Sequence, residues 1–396
     1  MIPRRSLVVT VIGATQTIAW ASGYYMPAIL GAPVAHALHL PASLFFALFS
    51  GALLLSALVG PVVGRLIDHY GGRLVLAVSN VVLAAGLAAL GAAHGIVGLT
   101  IAWVVLGLGL GMGLYDPAFA TLTWLYGREA RAAITGITLI AGFASTIGWP
   151  ASALFLDHFG WRWACLIWAG LNLFLAGPVN LLLIPRRGLP PARPRPTAEI
   201  REVEPPRGAM PILAFFFSAS WFVQGAMAAH LPGLLMTAGA SPTAAIAAAA
   251  MVGPAQVGSR IVEFGLLRSV NPVISARIAA VLHPIGAGFL VAFGGPAVAA
   301  FAVLHGAGNG MITIAKGTLP LSLFGPYGYG RRSGLLSAPA RVSQSAAPFL
   351  FGLLLDHVGT SAVYLSAGLS LAAFASLFAL RSRATAVAAS SAARSG

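Results

Sequence analysis

Three ionisable side chains interrupt stretches of sequence that are otherwise apolar: Asp116 in GMGLYDPAFATL, Lys316 in GMITIAKGTLPL and Arg341 in LLSAPARVSQSAAPF. Each stands about eight residues, or about 12 Å, from the nearer end of the helix its surroundings predict. An unpaired charge at the centre of an apolar span costs roughly 2.5–3.5 kcal/mol on insertion scales, so these groups are expected to pair or to face water. Asp116 and Lys316 are the natural partners. A carboxylate beside a cation gains and loses proton affinity as that cation leaves and returns, which is the chemistry of proton coupling. The alternative is that Lys316 and Arg341 extend to a polar boundary while Asp116 caps a local backbone break before Pro117.

Two polar aromatic stripes accompany the charges. Gln16, Trp20 and Tyr24 recur at spacings of four, and Ser218, Trp221 and Gln224 fall within two turns. Indole and phenol rings supply stacking area with one hydrogen-bonding group each, as a solute cavity needs; packing between helices accounts for them equally well. His283 and His305 carry protons near neutral pH in some settings and are hydrogen-bonded structural groups in others. The chain has one cysteine, Cys165, and no HExxH, GxSxG or Cys/His cluster at metal spacing, so it is expected to have no catalytic residue, no metal and no cofactor, and not to be an enzyme.

The elements that must hold these residues are set by composition. Of 396 residues, 58% are hydrophobic and 8% charged, against about a quarter charged in a soluble domain. Apolar runs long enough to cross a hydrocarbon core recur along the chain, predicting helices at about 7–29, 43–67, 74–92, 96–124, 131–156 and 161–184, then at about 210–233, 242–264, 272–293, 296–324, 333–355 and 360–380. The start, MIPRRSLVV, has the form of a signal sequence, but eleven further spans favour a retained first helix. A Pro-, Arg- and Glu-rich stretch between the two sets cannot bury enough surface to fold alone. The expected division is therefore 1–184, a linker at 185–208, and 209–396. The net charge of +14 would suggest nucleic acid in a soluble protein; here the arginines sit in short connections, and all but Arg162 fall on one side if both termini are cytoplasmic. No nucleic-acid partner is implied.

The halves repeat. LFLDHFG at 154–160 matches LLLDHVG at 353–359, each after a proline; VGP at 59–61 leads to Arg65 and Asp68 as VGP at 252–254 leads, across two more residues, to Arg260 and Glu263. Gly111 and Gly113 precede Thr121 as Gly308 and Gly310 precede Thr318, and the glycines of both helices have the small-xxx-small spacing that lets helices approach closely. The segment GRLIDHYGGR at 64–73 resembles the loop between the second and third helices of major facilitator transporters, with Gly64, Asp68, Gly71 and Arg73 in the pattern's positions. The resemblance covers nearly the whole chain. It implies an all-α membrane protein of twelve transmembrane helices in two pseudo-symmetric six-helix bundles, with helices 1, 4, 7 and 10 lining a cavity that Asp116 and Lys316 share and Arg341 flanks. It further implies that Asp68 meets the start of helix 11, with Arg331 and Arg332, while symmetry offers Glu263 to Arg128 and Arg131.

The expected function is secondary active transport of a small solute by alternating access, as proton-coupled efflux; the alternative is uptake or exchange of a small organic anion, monocarboxylate-like. The partners expected are that solute, protons and the lipid bilayer, with the chain acting as a monomer. The drug-antiporter arginine of helix 4 is missing and the glycine-proline motif of helix 5 departs in spacing. The chain is similar to bacterial major facilitator proteins near permeases that export trivalent arsenic; with one cysteine, arsenic would have to pass as a neutral hydroxide. Twenty-two arginines against one lysine, with abundant Ala and Gly, indicate a GC-rich bacterial genome and hence the inner membrane.

Overall fold

The protein is described from a computed structural model that covers residues 5–126, 130–186, 208–265, 270–324 and 329–380. The side chains of Arg131, Phe264, Leu321 and residues 329–334 lie outside that description, as does most of the expected linker, 187–207.

Ten helical stretches among the described residues are long and apolar enough to cross a membrane. Two of them, Ala132–Leu183 and Leu335–Ala379, run to 52 and 45 residues, far more than the ~20 that span a bilayer. The first turns at Gly160, whose φ of 76° breaks the helix, so that Trp168 Nε1 donates back to Ser152 Oγ at 3.1 Å. The second turns at Gly359, φ 56°. Ten stretches with two such turns give twelve passes.

We number them α1 (5–37), α2 (Ala42–Tyr70), α3 (Gly72–Gly91), α4 (Ile96–Tyr126), α5 (130–159), α6 (161–183), α7 (Ala209–Thr237), α8 (242–265), α9 (Pro272–Phe293), α10 (Val298–Phe324), α11 (Tyr329–Val358) and α12 (363–379). Their packing repeats at an interval of six: α1 on α5, α2 and α3 on α4, and α3 on α6, matched by α7 on α11, α8 and α9 on α10, and α9 on α12. The first six and last six meet along α2 with α11, α5 with α8, and α1 with α7. We call the end where α1 begins and α12 finishes the terminal face.

Small residues set the closest approaches. A Cβ on Gly107 or Gly111 would stand 2.8 Å from the carbonyl oxygen of Ala52 or Ser56 in α2, and one on Gly306 would stand 2.6 Å from Val252 O in α8. These contacts make Gly107, Gly109 and Gly111 equivalent to Gly306, Gly308 and Gly310, two residues away from the register that aligns Thr121 with Thr318. Beyond these glycines α4 breaks at Leu114, whose ψ of −162° is extended.

The first helix is longer than its sequence predicts. Pro27 and Pro33 favour a stop near 29, yet the chain widens into a π turn at Ala21–Tyr25 and continues to Ala37. Pro27 lacks the N–H that an α-helix would send back one turn, and the wider turn instead carries Met26 N–H to Ala21 O at 2.9 Å.

Candidate functional site

The break in α4 is where the site begins. Pro117 has no N–H to give the carbonyl of Gly113, four residues earlier, and the side chain of Gln16 in α1 replaces it, Nε2 donating to Gly113 O at 2.5 Å. Leaving that carbonyl unpaired would cost about 1–3 kcal/mol. Gln16 is 2% exposed, so this member of the first stripe serves the backbone rather than facing an open cavity. Its Oε1 has no partner among the described residues.

The restart of α4 at Tyr115 swings Asp116 toward α11, where its Oδ2 pairs with Arg341 Nη2. Asp116 therefore does not meet Lys316, contrary to the pairing expected from sequence. Lys316 lies against α7 instead, its Nζ 4.9 Å from the centroid of the Trp221 ring, a cation-π contact. The reason is geometric. Rotation after Leu114 selects which cation Asp116 reaches, and Arg341 lies against α2, 3.5 Å from where a Cβ on Gly60 would stand. Asp116 and Arg341 keep 51% and 33% of their side chains exposed, so the pair is reachable.

Next to the pair is an aromatic cage. Trp20 lies 4.9 Å from Tyr24 and 4.8 Å from Tyr115, and Tyr25 lies 5.2 Å from Trp149, centroid to centroid. Gln344 Nε2 donates to the Tyr24 hydroxyl at 2.9 Å, joining α11 to α1. Arg260 enters from α8, 7% exposed, donating from Nη1 to Thr138 O in α5 at 2.7 Å and lying beside the Tyr115 hydroxyl. Four buried donors here and on the Lys316 side, Trp20 Nε1, Trp149 Nε1, Trp221 Nε1 and Arg260 Nε, have no acceptor among the described residues. The arrangement offers stacking surface, N–H groups and positive charge.

Sequence reasoning did not single out Tyr25, Tyr115, Trp149 or Arg260 as neighbours of the charged pair. The repeated VGP segment pairs Arg260 with Arg65 in sequence, but the glycine contacts match Ala52 and Ser56 with Val252 and Gln256 and so make Arg260 the counterpart of Gly60 instead. Ser218 and Gln224 are half-buried on α7. His283 and His305 stand apart from the cage, between α9, α10 and α12: their Nδ1 atoms are 3.0 Å apart, and His283 Nε2 lies 3.0 Å from Ser366 Oγ. Because Ser366 Oγ donates to Val363 O, it accepts from His283, which fixes that ring as the Nε2–H tautomer and makes His305 the donor between the rings.

On the face away from the termini the halves are closed. Ser50 Oγ of α2 accepts the Phe349 N–H of α11 at 3.1 Å, and the Phe46 ring lies 4.1 Å from that of His230, which itself bonds Pro348 O at 2.7 Å. With these contacts made, Asp116 and Arg341 keep 51% and 33% of their side chains exposed. At that face Gly64, Asp68, Gly71 and Arg73 occupy the end of α2 and the start of α3, and Asp68 is exposed, with no partner among the described residues. Arg128 and the side chains of Arg131, Arg331 and Arg332 lie outside the described residues. Glu263, placed two residues before the end of α8, is buried, and its Oε2 is unpartnered among the described residues.

The Major Facilitator Superfamily sequence model matches residues 11–296. The chain belongs to the Major Facilitator Superfamily. It is 31% identical over 347 residues, 81% of this chain and 71% of the relative, to human monocarboxylate transporter 11. The fold of this superfamily member is shared with a bacterial homologue of the human lysosomal transporter Spinster in an inward-facing, unoccupied conformation, at a TM-score of 0.66 and 14% identity over 96% of this chain and 95% of that one. The human organic anion transporter MFSD10 gives a TM-score of 0.64 at 15% identity, covering 95% of this chain and 100% of that one. It is thus a multi-pass membrane transporter and not an enzyme.

Proposed function

We propose that this transporter carries a small organic anion, in the simplest case a monocarboxylate, together with a proton, through the cavity between its two six-helix bundles. The observation that carries the reading is that Arg341, where the two bundles meet, already holds one carboxylate, that of Asp116. A substrate carboxylate is chemically the same ligand and competes for the same guanidinium. When it wins, Asp116 loses its cation and takes up a proton, so anion and proton enter together. Lys316, Arg260 and the unpartnered indole N–H groups support the same sign of substrate, and the likeness to a monocarboxylate transporter agrees with it. Direction then follows the combined gradients: the same cycle runs as uptake when acid is outside and as efflux when the solute accumulates inside.

The arginine distribution supports a cytoplasmic terminal face in a bacterial inner membrane, and the contacts on the opposite face support a state open to the cytoplasm. Purified protein in proteoliposomes with an imposed pH difference provides the test. Labelled short monocarboxylates are expected to accumulate saturably, and Arg341→Gln to abolish that accumulation, while the lipophilic cation ethidium is not moved above protein-free vesicles. Asp116-dependent movement of ethidium, with no carboxylate accumulated, would overturn the reading.

A further inference from the structure

At the terminal face, away from the Asp116–Arg341 pair, a groove of about 250 Å³ opens between the α2–α3 turn and the ends of α4 and α6. Its polar wall is made by Arg73 at the start of α3 and Arg186 just beyond α6. Neither guanidinium meets a carboxylate or donates a hydrogen bond among the described residues. Asp68, the nearest acid in sequence, does not line the groove. The floor is the indole of Trp124, held against Gly71, where a Cβ would stand 3.0 Å from the ring; the φ of 79° at Gly71 turns the chain over it. The rim is Tyr70, Leu74 and Leu181, all exposed apolar side chains.

We propose that this groove binds the headgroup of an anionic phospholipid. Three features select a lipid over a soluble anion. The groove lies at the ends of four spans, which is the depth of the polar boundary of a bilayer. Trp and Tyr at that depth are the side chains that settle among headgroups. The exposed leucines lead from the arginines down α3 and α6 into the hydrocarbon zone, a surface that an acyl chain covers and a free phosphate does not use. The two guanidiniums, which meet no carboxylate among the described residues, select a net negative headgroup, offering planar donors to phosphate oxygens; on the proposed cytoplasmic orientation, a basic pocket between helix ends is the kind that holds such lipids. The bound lipid would tie the α2–α3 turn to the ends of α4 and α6, so it acts on the first six spans as a unit.

The test is native mass spectrometry of the full chain, exchanged into equal amounts of phosphatidylglycerol and phosphatidylcholine, with inorganic phosphate as a separate arm. Phosphatidylglycerol adducts are expected to exceed phosphatidylcholine adducts, to fall about fivefold for each arginine removed in Arg186→Gln and Arg73→Gln/Arg186→Gln, and to persist in millimolar phosphate. Arg186→Gln lies beyond the helix end and keeps the fold testable: its melting midpoint and transport rate in phosphatidylcholine vesicles should match the parent. Equal retention of the two lipids, adducts unchanged in the double variant, or displacement by inorganic phosphate would each overturn the proposal, the last by showing a soluble-anion site.

Discussion

Asp116 and Arg341 bridge the first and last six spans through one contact, and that contact is accessible to water in this state. Its strength depends on how far the two halves are apart, and so does the proton affinity of the acid. Asp116→Asn keeps the shape and one acceptor but cannot lose a proton. It is expected to abolish accumulation driven by a pH difference, while exchange of labelled for unlabelled solute across proteoliposomes continues at a measurable rate; Arg341→Gln should remove both. Uphill accumulation by Asp116→Asn would place coupling elsewhere. At this scale the sequence was informative about candidates and silent about partners. Asp116, Lys316 and Arg341 stand out because charges are rare in apolar runs, but the choice between Lys316 and Arg341 is made by a backbone rotation at Leu114 that no periodicity records. Gln16 looked like a cavity residue for the same reason: a polar stripe reads alike whether it faces water or repairs a neighbouring helix.

The repair by Gln16 joins two elements through a defect in one of them. Because Pro117 withholds an N–H from Gly113 O, Gln16 supplies one, and the helix break that aims Asp116 is sustained from α1. Gln16→Leu should therefore lower stability by about 1–3 kcal/mol, read as a lower melting midpoint in detergent. Pro117→Ala restores an intrahelical donor, so the cost of Gln16→Leu should shrink in that background. Equal costs in both backgrounds would show that Gln16 acts by packing alone. Hydropathy made the spans themselves legible, since a bilayer admits little besides closed helices, and the interval-of-six packing could be anticipated from the repeated LDH segments. What hydropathy could not supply was where a helix tolerates a proline. The π turn that carries α1 past Pro27 places Tyr24 and Tyr25 on the cage side, and the two-residue offset between α4 and α10 hides inside a run of glycines that aligns in more than one way.

For the whole molecule the decisive question is whether the closure on the non-terminal face opens during transport. Ser50 and Phe349 touch there, one from each half, while Asp116 keeps half of its side chain exposed. A Ser50→Cys/Phe349→Cys pair in a Cys165→Ser background should be joined by a short thiol cross-linker in this state, and the joined protein should neither accumulate nor exchange solute. A reducible linker would let the activity return on reduction. Asp68 offers a second test of the same equilibrium. It stands at the C-terminal end of α2, where the helix dipole opposes an anion, and it has no partner among the described residues here. A gating role thus requires that its partner arrive only when the terminal face closes. Asp68→Asn would then weaken the closed form and leave the present one untouched, raising the rate at which the Ser50→Cys/Phe349→Cys pair is cross-linked; loss of a ligand for one of two states shifts their ratio by the differential interaction alone. Transport by the joined protein at the parent rate would refute alternating closure at this contact, and an unchanged cross-linking rate in Asp68→Asn would remove Asp68 from the gate while leaving the contact's role intact.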